Sequence, residues 1–318
     1  MSYCLCIGET LIDFIAQAGI GDVGASEFFQ RAAGGAVSNV AVGIARLGGD
    51  ARFCGALSHD SFGRFLLRTL AHENVGVDGV RLVDAATTLA FVARGDQGQR
   101  DFVFLRNPGA DSLLASADVD DDAVAHARAL HFGGVLLASE PARTTCLQAA
   151  RTAHAHGVLV SFDPNARPAL FSSADDMIGA LREGCKLASV LKLSEEDLSA
   201  LGISPKDLMT LFNEVTEAIV VTNGPAPVHW FLRSGDAGSV TPPKVTVVDT
   251  TGAGDAMMAA LLWRLIWTHG NRLNAASLSD AVRYGCAAAA YKCQHEGAIR
   301  SMPRMEQLGD LLAQVATG

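Results

Sequence analysis

The chain has 318 residues, 49% hydrophobic and 19% charged, enough for a packed core and for one large or two ordinary domains. Its net charge is −9 and it has no Lys/Arg cluster, so it lacks the electrostatic footprint of a nucleic-acid binder. The opening "MSYCLCIGETLID" carries no basic region, and no apolar run reaches the roughly 18 residues of a membrane span, so a cytoplasmic protein is expected, with no membrane partner.

In chain order, "YCLCI" is a short apolar strand with Cys4 and Cys6 on one face. The stretch from Phe14 to Ala33 shows no clear helical period. "SNVAVGIARLG" is helical, "ARFCGAL" a strand, and "SFGRFLLRTLAHE" a helix. Thr87 to Asp111 alternates like two strands around the turn "GDQGQ", with Leu89, Phe91 and Ala93 on one face and Phe102 and Phe104 on another. Such a hairpin reads as a small lid over a site, or else as an edge hairpin of the main sheet. "ALHFGG", "GVLVSFD", "ASVLKL" and "AIVVT" are further strands. "PARTTCLQAARTAHAHG" and "SLSDAVRYGCAAAAYKC" are further helices. Apolar strands alternating with helices indicate a parallel sheet covered on both faces. Its ligands should lie beyond the carboxyl ends of the strands. The seven cysteines, with no C-x-x-C pair, read as reduced thiols.

The most informative stretch is "VVDTTGAGDAMMAALLWRLIW". Gly252, Ala253 and Gly254 leave backbone N–H groups open at the start of a helix, which is an anion site suited to phosphate. No Gly-Lys-Ser/Thr follows, so this is not a Walker A loop. Asp255 would repel phosphate, so its use there is to accept a proton from a hydroxyl attacking a phosphoryl group. The amides would stabilise charge on the group in transfer. The plainer alternative is a helix N-cap.

At these residues a resemblance becomes specific. "DTTGAGD" resembles the C-terminal signature of the PfkB/ribokinase family of sugar and nucleoside kinases. "GGAVSNVAVGIARLGG" resembles its N-terminal signature, and "GETLID" its opening strand and aspartate, all in the family's order. "RDFVFLRNPGADSLL" and "SFDPNARPALF" look like the fructokinase branch. The resemblance implies a ribokinase-like three-layer α/β/α sandwich, with a mainly parallel sheet and a small β-lid. Residues 1–318 would be one domain, with 14–33 and 87–111 forming the lid. It implies that Asp255 is the catalytic base and that Gly252, Ala253 and Gly254 form the anion hole. Asp13, Gly34, Gly35 and Asn39 would hold sugar hydroxyls, Asn39 having helix capping as its alternative. Arg106 and Arg167 would face the sugar and phosphoryl region, or else form surface ion pairs, with Asp163 beside them. Asn165, Lys192, Thr222 and Gly224 fall on the nucleotide side.

ATP and Mg²⁺ are the implied cofactors. Asp249, Thr251, Gly297 and Ser301 match a loop that supplies oxygens to a monovalent cation, so K⁺ is expected to raise activity. Where many relatives carry N-x-x-E on the Mg²⁺ side, this chain has Ser194 and Asp197, and Asp197 becomes a candidate acting through water. The implied reaction transfers the γ-phosphoryl of ATP to the primary hydroxyl of D-fructose, giving fructose 6-phosphate. The rivals are 2-keto-3-deoxygluconate, ribose or a nucleoside as acceptor, and a non-catalytic sugar-sensing relative. The apolar hairpin also suggests a homodimer through the lid.

Overall fold

The computed structural model describes residues 2–17, 19–95 and 100–317, and the turn 96–99 lies outside them. The chain opens with β1 (Cys4–Ile7), β2 (Leu11–Ala16) and β3 (Phe29–Gly34), then α1 (Ala36–Arg46). It continues through β4 (Ala51–Ser58), α2 (Ser61–His72), β5 (Gly76–Val83), β6 (Leu89–Arg94) and β7 (Arg100–Leu105). Next come α3 (Asp121–Ala125), β8 (Ala129–Gly133), α4 (Ala142–Ala155), β9 (Leu159–Asp163), α5 (Ala174–Leu187), β10 (Val190–Ser194) and α6 (Glu195–Ala200). The last part holds β11 (Ala218–Thr222), β12 (Val228–Leu232), β13 (Ala237–Thr241), α7 (Ala253–Trp267), α8 (Ala275–Cys293), α9 (Gly309–Gln314) and β14 (Ala316–Thr317).

The main sheet runs in the order β14-β13-β12-β11-β10-β9-β8-β1-β4-β5. From β11 to β5 every pairing is parallel, while β12, β13 and β14 join antiparallel at one edge. The central strands are buried on both faces, which is why each reads as a continuous apolar run. Alternation divides them between two cores. Cys4 and Cys6 point into the layer of α1, α2, α7 and α8. Leu5 and Ile7 point into the layer of α4 and α5. This is the expected α/β/α sandwich. All seven cysteines are unpaired, and six are buried.

Helix α7 is apolar all round and sits between α1 and α8, as a helix without a polar face must. Helices α1 and α7 pack tightly at Gly43, where an added Cβ would lie 2.5 Å from the Cβ of Ala259. One turn back toward the N-termini of both helices stand Asn39 and Asp255.

A second sheet, in the order β3-β2-β6-β7, contains both segments assigned to the lid. It starts earlier than expected, at Leu11, so Asp13 is a residue of the lid sheet. The stretch without helical period holds β3, and the hairpin of β6 and β7 pairs parallel with β2. That places the hairpin in the lid and not at the edge of the main sheet. Register puts Asp13 opposite Ala90, so Asp13, Arg94, Phe102 and Phe104 share one face. Val103 and Leu105, 42% and 56% exposed, stand on the other. Among the described residues no helix is long and apolar enough to cross a membrane.

Candidate active site

The site forms where α7 begins, beyond the carboxyl ends of β9, β10 and β11. Gly252 is the N-cap of α7, with φ +77°, a left-handed conformation that favours glycine. Asp255 is therefore a residue of the first turn and not the cap, which corrects that alternative. Its carboxylate is buried, and Oδ2 accepts a 2.7 Å hydrogen bond from Asn39 Nδ2. Burial pushes its pKa up from 3.8 to about 6. The Asn39 bond opposes the rise, Asp163 adds to it, and Lys192 and Arg167 oppose it. A base near neutrality, held by one amide, fits a hydroxyl of a substrate.

Asn39 lies inside α1, buried, so it does not cap that helix. It braces Asp255 directly, and this bond is what the sequence did not reveal. The N-terminus of α1 is instead satisfied by Glu9, whose Oε1 accepts from Ala36 N at 2.5 Å and Val37 N at 3.4 Å. Gly34 and Gly35 fit their expected place. A Cβ on Gly34 would lie 2.0 Å from Asp13 Oδ2, and Gly35 has φ +109° with Glu9 O close behind. Asp13 is half-buried, and its pKa is pushed up to about 7, by burial first and then by the Asp255 charge, against Arg94 and Arg167. These charges converge on one space.

The phosphate side is lined differently. Ala253 N donates to Thr250 O at 3.2 Å, so its amide is turned back into the loop. Among the described residues Gly252 N and Gly254 N have no such acceptor, and they remain as the hole. A Cβ on Gly254 would meet Lys192 Nζ at 2.9 Å, so glycine lets that ammonium stand beside the helix N-terminus. Lys192 Nζ donates to Asp163 Oδ2 at 2.8 Å, and both side chains are buried. Burial lowers the Lys192 pKa, but Asp163, Asp197 and Asp255 outweigh it and hold it above its ordinary value. Asn165 follows at φ +41°, its amide donating to Asp163 Oδ1 at 3.2 Å. Thr222 ends β11, and Gly224, at φ +50°, is exposed with open space around it.

Three expectations need correction. Arg106 is held in a buried ion pair with Asp111, at 2.9 Å, and Asp111 also accepts the Thr88 hydroxyl. It is not a surface pair, and it is not among the main charges acting on Asp13 and Asp255. The arginine that does join Arg167 there is Arg94, at the end of β6. The period-two pattern of the hairpin could have found it, because Arg94 follows Ala90 and Val92 on the face carrying Asp13. Arg167 stays in the site, donating to Ala166 O at 2.9 Å with its guanidinium 5.8 Å from the Phe102 ring centre.

Second, Asp197 has both carboxylate oxygens taken up by protein donors, where it was expected to act through water. It closes a capping box at the start of α6: Oδ2 accepts from Ser194 N and Oγ, and Oδ1 accepts from Ala166 N. Third, Asp249, Thr251, Gly297 and Ser301 do converge, but not as an open cation loop. Asp249 Oδ1 accepts from Arg94 Nη1 and from both the amide and hydroxyl of Thr251. Oδ2 accepts from Gly297 N at 2.9 Å, and Ser301 Oγ donates to Gly297 O. Lys292, on α8 and fully buried, donates from Nζ to Asp249 O at 2.7 Å and His295 O at 3.0 Å. Among the described residues no three His, Cys, Asp or Glu side chains gather as a metal-ligand set.

Residues 1–305 match the pfkB family of carbohydrate kinases. The chain is 37% identical over 316 residues to probable fructokinase-6, chloroplastic, of Arabidopsis thaliana, with 98% of this chain and 82% of that one covered. It resembles the crystal structure of fructokinase with bound ATP from Xylella fastidiosa, with a TM-score of 0.88, 32% identity and 98% of both chains covered. It also resembles a fructokinase double mutant from Vibrio cholerae in its fructose, ADP and potassium ion bound form, with a TM-score of 0.85, 29% identity and 98% of both chains covered.

Proposed function

The chain belongs to the pfkB family of carbohydrate kinases, and we propose that its reaction is ATP + D-fructose → ADP + D-fructose 6-phosphate. The observation that carries this reading is the buried Asp255, braced by Asn39 and raised to about 6, beside the amides of Gly252 and Gly254. Asp13, Asn39, Gly34 and Gly35 form the floor that takes sugar hydroxyls. The lid face with Phe102 and Phe104 covers it and excludes water, the competing nucleophile. The primary hydroxyl oxygen attacks the γ-phosphorus, and the bond from that phosphorus to the bridging oxygen of ADP breaks. The hydroxyl proton passes to Asp255. Lys192 and the two amides hold the negative charge of the group in transfer. Asn165, Thr222 and Gly224 border the nucleotide. When bound with ATP, Mg²⁺ would supply charge neutralisation to its phosphates, and no side chain of this chain is assigned to it.

The choice of a neutral acceptor rests on the arginines. Arg106 is paired with Asp111, Arg94 with Asp249, and Arg167 donates to Ala166 O. A keto-acid such as 2-keto-3-deoxygluconate would have Arg167 alone for its carboxylate, because the other two arginines are already paired with carboxylates. The test is the ratio of kcat/KM for fructose to that for 2-keto-3-deoxygluconate in an ADP-release assay. A ratio well above one is expected, and a ratio below one would overturn fructose as the acceptor. The exposed outer face of the lid, with Val103 and Leu105, supports pairing of two chains through their lids. Sedimentation at micromolar concentration should show a dimer, and a monomer would remove that assembly.

A further inference from the structure

Lys292 has no role in the chemistry above, yet its side chain is fully buried next to the anion hole. Removing an ammonium from water is costly unless its three donors are satisfied. Here two hydrogen bonds, to Asp249 O at 2.7 Å and His295 O at 3.0 Å, are joined by an ion pair with the Asp249 carboxylate, whose Oδ2 lies at 3.5 Å. The first two acceptors are main-chain carbonyls, the kind of ligand that a monovalent cation takes from protein. The loop they belong to is continuous with the hole. Val248 N and Asp249 N both donate to Cys293 O, at 2.7 and 3.1 Å, stitching the irregular segment before Thr250 to the end of α8. The end of a helix also favours a cation electrostatically.

Charge disfavours a second ion. Asp249 already faces Lys292 and the Arg94 guanidinium, so an added K⁺ would place a third positive charge around one carboxylate. Burial pulls the Lys292 pKa below its ordinary value, and the Asp249 charge resists that pull.

We infer that the Lys292 ammonium takes the place of a bound monovalent cation, holding the Asp249–Gly297 loop and the amides of Gly252 and Gly254 in position without K⁺. Lys292 is thus a positioning residue for the anion hole, and this role rests on the kinase reading. The test replaces K⁺ by choline at fixed ionic strength, for the native chain and for Lys292→Met, with turnover and melting temperature both recorded. The native chain should show the same kcat and the same melting temperature in either salt. Lys292→Met should have a lower kcat in choline. K⁺ should restore it severalfold and raise its melting temperature, because the vacated carbonyls then bind the ion. Activation of the native chain by K⁺, or its thermal stabilisation by K⁺, would overturn the inference. So would a folded Lys292→Met whose two readouts ignore K⁺. If Lys292→Met does not fold, the native arm decides alone. If fructose gives no turnover in any salt, the proposed reaction fails while the melting arm still judges Lys292.

Discussion

Asp249 and Asp255 stand at either end of one glycine-rich turn and are equally hidden, 7% and 8% exposed. Their chemistry is opposite. Burial works to raise both pKa values. At Asp249 the Thr251 amide, Lys292 and Arg94 outweigh it and hold the carboxyl below its ordinary value. At Asp255 the amide of Asn39 and the charges of Lys192 and Arg167 do not, with Asp163 adding to the rise, and the pKa stays near 6. Burial therefore does not make a base; burial with few partners does. Asp249 is a fastening, fully enclosed by donors. Among the described residues Asp255 has one carboxylate oxygen without a hydrogen-bond donor, open to take a proton.

The contrast has a pH signature. A carboxyl with a raised pKa binds more protons folded than unfolded, so stability falls as pH rises from about 4 through about 6 at Asp255. The depressed Asp249 contributes the reverse. Its stabilisation is present at neutral pH and is lost as pH falls through its folded pKa.

The largest expected effect is at the base. Asp255→Asn keeps the bond from Asn39 but cannot accept the proton, so kcat should fall by about 10²–10⁴ with fructose still bound. Its melting temperature at pH 8 should not fall, because a carboxylate disfavoured by roughly 3 kcal/mol is removed. A variant as active as a tenth of the native chain would end the assignment.

The same change at the fastening should do the opposite. Asp249→Asn leaves Lys292 and Arg94 without their buried carboxylate and should cost on the order of 3–5 kcal/mol. Denaturant titration measures it, and an unchanged midpoint would show that the enclosure contributes nothing. Gly43→Ala tests the helix approach that sets the Asn39–Asp255 bond. The new methyl would press on Ala259, part α1 from α7, and lower kcat roughly tenfold. A kcat equal to that of the native chain would separate the packing from the bond. The smallest expected effect is from Asn39→Ala, which removes a bond that lowers the Asp255 pKa. The acid limb of kcat should move up by roughly one pH unit. A limb that stays in place would mean Asn39 positions sugar alone.

Much of this was legible in the sequence. The parallel strands read as apolar runs because both faces are covered. The anion hole and its base read from the glycines and Asp255 because those residues are local and their backbone conformations are restrictive. Interactions between distant segments were not legible. Arg94 reaches Asp249 from the lid, 155 positions along the chain. Lys292 lies in "AAAAYKC", where a lysine among alanines looks like a solvated helix position, and only packing shows it buried. Ser194 and Asp197 carried a capping-box spacing, but the comparison with N-x-x-E drew attention to metal instead. The antiparallel strands β12, β13 and β14 and the opposite edge strand β5 do not stand out in the sequence because they are short or partly polar.

The most direct measurement is the pH dependence of kcat/KM for fructose in the native chain. A proton acceptor raised to about 6 by burial should give an acid limb centred there, falling about tenfold per pH unit below it. A profile flat from about pH 8 down to about pH 5, with the protein still folded, would contradict Asp255 as the base.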